Sequence, residues 1–134
     1  MPKTAVVENE FITLWYEPET KIVSHEFHQP ASGNVFRTAM LAGVEQLRNN
    51  GAYKWLSNDK RNAALNEEDL AWVLATWQQA AIAAGWKYWA IILPGSAFGQ
   101  DSLQQLIAAF ESKGVVTRAF SDISMAKRWL TAQD

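Results

Sequence analysis

The chain has 134 residues, 49% of them hydrophobic, and a formal net charge of −2. That length predicts one domain, 1–134, with apolar surface enough for a core that needs no staple. The absence of cysteine excludes disulfides, thiolate nucleophiles and cysteine-ligated metal centres.

Lys60-Arg61 and Lys127-Arg128 are the only adjacent basic pairs, which argues against nucleic acid or an anionic membrane as partner, since such binders carry a basic patch. No apolar run nears the roughly 20 residues of a membrane helix. The opening MPKTAVVENEF lacks the apolar region of a secretory signal. The expectation is a cytoplasmic protein.

The first predicted elements are strands over 11–16 (FITLWY) and 21–27 (KIVSHEF), joined by Glu17-Pro18-Glu19-Thr20 as a β-hairpin. After Pro30, Phe36, Met40, Gly43, Val44 and Leu47 share one helical face. Ser32 is the expected N-cap and Asn50-Gly51 the stop. A third strand spans 53–57. Asn66-Glu67-Glu68-Asp69 opens a second helix, its acidic residues suited to the helix dipole. On it Leu70, Val73, Leu74, Trp77 and Ala81 share a face, with Trp72 opposite.

Gly85 closes that helix, and KYWAIIL (87–93) is continuous enough in large apolar residues to be a central strand. The loop PGSAFGQDS leads to a third helix faced by Leu103, Leu106, Ile107 and Phe110. A fifth strand covers 115–120, and Ser121-Asp122 caps a last helix ending near Ala132. The predicted fold is α/β: a hairpin, then strand–helix units with right-handed crossovers, giving a mixed, mostly parallel five-stranded sheet and about four helices.

If strands two to five are parallel, their carboxyl ends share one edge, where ligands of α/β domains collect. Four serine-containing loops converge there: 32–34, 57–62, 94–102 and 121–122. Serine and aspartate are ordinary N-caps, but Ser57, Asn58, Asp59, Lys60, Arg61 and Asn62 exceed what one cap requires. These six and Ser96 are the candidate binding residues, with Lys60 and Arg61 suited to an anionic group.

No catalytic set emerges. His25 and His28 lie three apart on an extended segment, pointing to opposite faces, so a structural role is expected for each and no metal or other cofactor is predicted. No G-x-S-x-G elbow occurs, and PGSAFGQDS lacks the lysine of a phosphate-binding loop. Trp72 and Trp129 fit the core stripes poorly; each packs against neighbouring elements or forms an interface, where tryptophan is enriched.

The segments KWLSNDKRNAAL, GWKYWAIILP and VTRAFSDISMAKRWL resemble small bacterial proteins of the SpoIIAA-like, or STAS-like, family, in a tryptophan-rich branch. The resemblance implies an opening antiparallel strand, strand–helix units and a binding module that is not an enzyme. In anti-sigma-factor antagonists of that family, a serine in the loop after the third strand is phosphorylated. Here that loop is SNDKRN, and Ser57 is its nearest hydroxyl. The resulting expectation is a non-enzymatic module that engages a protein partner or small anion through 57–62. The alternatives are a self-associating homodimer using the Trp72 surface and a small-molecule site at the sheet edge.

Overall fold

In KIVSHEF, Val23, His25 and Phe27 stand at every second position, and a pleated strand sends such positions to one face. The computed structural model describes residues 3–134 and makes this segment β3 (Ile22–Phe27). Before it run β1 (Thr4–Glu8) and β2 (Ile12–Glu17). Then come α1 (Gly33–Asn50), β4 (Lys54–Asn58), α2 (Glu67–Trp72), a π-helical turn (Val73–Trp77), α3 (Gln78–Ala83), β5 (Tyr88–Ile92), α4 (Ala97–Glu111), β6 (Val116–Phe120) and α5 (Ile123–Thr131). Since α2, the π turn and α3 run on without a break, four helical units result.

The six strands lie side by side in chain order. Pairing is antiparallel from β1 to β3 and parallel from β3 to β6. The expected parallel run is therefore present, but the sheet has six strands, not five. The additional strand, β1, is almost wholly exposed, with only Val7 half-buried. An edge strand of that kind carries no buried face to impose an alternating pattern.

All three crossover units cover one face. Phe36, Met40 and Leu47 of α1, Val73 and Trp77 of the π turn, and Leu103, Leu106 and Phe110 of α4 join Leu14, Val23, Trp55 and Trp89 of the sheet in one cluster. The opposite face is covered by α5, whose Ala126 and Leu130 pack on Ile22, Leu56, Ala90 and Ile92. Strand order never reverses, so there is no switch point of the kind that makes a crevice in doubly wound sheets. Any pocket at the carboxyl edge has to form between sheet and helices.

Two local features shape that space. A Cβ at Gly43 would collide with the Trp55 ring, so glycine there lets the indole lie against α1. In the π turn, Gln78 donates its N–H to the Val73 carbonyl five residues back, and the Trp77 indole N–H reaches the Met40 carbonyl at 2.8 Å. Such turns recur at functional sites.

The expected N-cap of α1 works differently. Ser32 occupies the position without a side-chain cap bond. The Gly33 N–H instead donates to Asp69 Oδ2 at 3.0 Å, and Arg37 Nε donates to Asp69 Oδ1 at 3.0 Å. Asp69 is thus more than a dipole partner for its own helix: fully buried, it ties the start of α1 to the start of α2. Among the described residues, no helix is long and apolar enough to cross a membrane.

Candidate functional site

Pairing register sets which side chains meet on the helix-covered face. His25 of β3 lies opposite Ser57 of β4, which lies opposite Ile91 of β5; one step back, Val23, Trp55 and Trp89 are aligned. Asp59 follows Ser57 by two and continues on the same face. Its N–H donates to the Ile92 carbonyl at 3.0 Å, which pins the end of β4 to β5.

Side chains in this row bond one another. Trp55 Nε1 donates to His25 Nδ1 at 2.9 Å, and His25 Nε2 meets Asp59 Oδ1 at 2.8 Å. An indole N–H only donates, so His25 Nδ1 is the acceptor and the ring proton sits on Nε2, pointing at the carboxylate. Beside them Trp89 Nε1 donates to Ser57 Oγ at 2.7 Å. Among the described residues, no buried side-chain nitrogen or oxygen lacks a partner.

Next to this row is a cavity of about 60 Å³. A site holds one water in roughly 10–15 Å³ by this kind of measure, so several waters or a small molecule fit. Its walls include Trp55, Trp77, Trp86, Trp89, Phe36 and Phe110; His25, Ser57 and Asp59 line it as well. The rings brace one another, with centroids 5.4 Å apart for Trp77 and Trp86, 5.0 Å for Trp86 and Phe110, and 5.5 Å for Trp86 and Trp89. Among the lining residues, Asn62, Ala63, Leu65 and Ser102 reach solvent and form the rim. The rim is drawn together where Asn62 Oδ1 accepts the Ala31 N–H at 3.4 Å.

The polar patch of 57–62 is therefore divided. Ser57 and Asp59 are buried in the pocket wall and Asn62 stands at its rim. Asn58, half-buried, points to the other face and accepts the Lys60 N–H at 3.3 Å. Lys60 and Arg61 are exposed and line no part of the cavity. Ser96 is exposed and caps α4, accepting the Gly99 N–H at 3.0 Å. In the 121–122 loop, Asp122 caps α5 and contributes nothing to the lining.

Trp72 is half-buried against Phe36 and the Arg37 guanidinium, and Trp129 lies between Tyr88 and Phe120 on the α5 face. His28 bonds Thr13 Oγ1 at 2.7 Å. Among the described residues, no group of three or more His, Asp or Glu is placed to hold a metal ion.

His25, Trp55 and Trp89 were not among the residues the sequence singled out as binding candidates. The available signal was period two: Val23, His25 and Phe27 alternate, as do Trp55, Ser57 and Asp59. No family model, curated protein or solved structure matches this chain.

Proposed function

We propose that this protein is a non-enzymatic binding module that takes a small molecule into the aromatic pocket beneath the β4–α2 loop. The observation that carries the reading is a cavity walled by four tryptophans and lined by one aspartate held in place by a histidine. Ligand sites commonly combine mostly apolar walls with a few fixed polar groups. The π turn contributing Val73 and Trp77 to the lining points the same way. Both nitrogens of His25 are engaged, so neither is free to serve a substrate as general base, which favours binding over catalysis. A STAS-like assignment agrees with this: a binding module with an antiparallel opening and parallel strand–helix units.

A protein or anionic partner is the second reading. It is favoured by Lys60 and Arg61, exposed beside the pocket rim. A phosphorylation switch at Ser57 has little support, because that hydroxyl is 2% exposed and holds the Trp89 indole.

The test is a fragment screen read by the indole N–H resonances of labelled protein, repeated on Ala63→Trp. Ala63 is an exposed rim residue, so the new ring plugs the mouth without disturbing the core. Fragments that shift the Trp55 and Trp89 signals in wild type, and fail to do so in the plugged variant, are expected. If no fragment moves these signals, or the plug changes nothing, the pocket is not the binding site.

A further inference from the structure

The class of ligand follows from Asp59, the single acidic group in the pocket among the described residues. We propose that the cavity selects a small cationic amine with an apolar body, the ammonium meeting Asp59 and the body meeting the tryptophan wall. This rests on the small-molecule reading above and adds the charge of the guest.

The side chain of Asp59 is 10% exposed, yet among the described residues His25 is its only side-chain or backbone donor. A carboxylate offers about four acceptor positions; since no buried side-chain oxygen among the described residues lacks a partner, Oδ2, which has no protein donor, is an accessible acceptor. The remaining oxygen belongs to a residue that lines the cavity, and on the proposal it is the acceptor for a donor that enters. His25 does not offset the charge. With Nδ1 occupied by the Trp55 N–H, it offers one N–H and no more.

Among the described residues, no lysine or arginine lines the space. An anionic guest would face the carboxylate uncompensated, which is how a site rejects the wrong partner. An ammonium has three N–H donors, and Ser57 and Ser102 line the same cavity as Asp59. The faces of tryptophan rings attract cations through their quadrupole, most strongly where water is excluded. The volume of about 60 Å³ limits the guest to a small one.

Asp59→Asn is the informative substitution. The amide oxygen still accepts from His25 Nε2, while the second position changes from acceptor to donor. Matched amine, alcohol and carboxylate probes are titrated into the labelled full chain: isobutylamine, isobutanol and isobutyrate, then the smaller propylamine, propan-1-ol and propionate. The indole resonances of Trp55 and Trp89 report occupancy.

In wild type, an amine is expected to bind at least about tenfold more tightly than its alcohol, as a charge-assisted hydrogen bond would give, with its carboxylate weakest. Asp59→Asn should remove that preference while the Trp55 indole signal, which reports the His25 bond, stays in place. A carboxylate or alcohol binding wild type as tightly as the matched amine overturns the cationic class and leaves the pocket standing as a binding site. An amine preference that survives Asp59→Asn overturns the role of Asp59. Should the variant fail to fold, the ranking on wild type still decides the class. Silence from all six probes overturns the amine proposal; only silence across the broader fragment screen also removes the binding reading.

Discussion

On one face of the sheet three helical units cover large aromatic side chains; on the other, α5 alone covers a smaller cluster that includes Ala90 and Ala126. Polar groups are handled oppositely. On the aromatic face His25, Ser57 and Asp59 are buried in mid-layer and bonded to indole N–H groups or to each other. On the α5 face they are moved to the margins and act as fasteners. Lys127 Nζ meets Glu17 Oε2 at 2.7 Å, and Lys54 Nζ donates to the Gln133 carbonyl at 2.7 Å. Small side chains let α5 lie close to the sheet. The face that buries polar side chains inside its aromatic layer holds the cavity of about 60 Å³.

The strongest way to break this comparison is to remove a wall. Trp55 is 1% exposed and touches both the polar row and α1. Trp55→Ala should cost about 3–5 kcal/mol, the usual range for a buried large aromatic, measured by urea unfolding. Trp55→Phe keeps most of the ring and removes the N–H, leaving His25 Nδ1 without its donor. About 1–3 kcal/mol is expected, the cost of one orphaned buried polar group. A loss below 1 kcal/mol for Trp55→Ala would mean that the indole is not structural and the polar row stands without it.

Overfilling the same face is the next test. Gly43→Ala places a methyl group against the Trp55 ring, and an extra methyl in a packed core costs about 1–3 kcal/mol. The ring lines the cavity, so displacing it into that space should also shift the Trp55 indole resonance. Full stability with an unmoved resonance would show that α1 gives way instead.

How much of this could be read from the chain differs between elements. The parallel strands were legible because their residues are continuous or alternating: KYWAIIL, as β5, is buried from Trp89 to Ile92. The π turn was not legible, since a change from i−4 to i−5 bonding alters no composition. Its effect is visible at Gln78, which is buried and bonded to the Ala109 carbonyl at 3.2 Å, while Leu70 and Leu74, expected on the inner face, are half-buried. Within the 57–62 loop, sequence did not separate the two sides. Continuing the alternation of Trp55 and Ser57 takes Asp59 inward and Asn58 outward. That His25 would meet Asp59 depends on the parallel register of β3 on β4, a pairing between segments about thirty residues apart that no local pattern records.

The smallest effect expected is on the other face, at Glu17. Burial pushes its carboxyl up, but hydrogen bonds from Lys127 and Thr20 and the Lys127 charge outweigh that, so it lies below its ordinary value. A carboxyl depressed on folding adds stability above its unfolded value, and that stability is lost as pH falls through the lower folded value. Glu17→Gln should therefore be less stable than wild type at neutral pH, with the difference closing below the ordinary carboxylate range. Lys127 is 48% exposed, so solvent and salt screen the pair, and about 0.2–1 kcal/mol is the scale for such an interaction. Adding salt should shrink the difference too. The comparison between faces sharpens here: a fastener at the margin responds to salt and acid, whereas the Trp55–His25 bond, shielded by the aromatic layer, should be indifferent to salt. If Trp55→Phe proves as salt-sensitive as Glu17→Gln, the polar row is wetter than its burial implies.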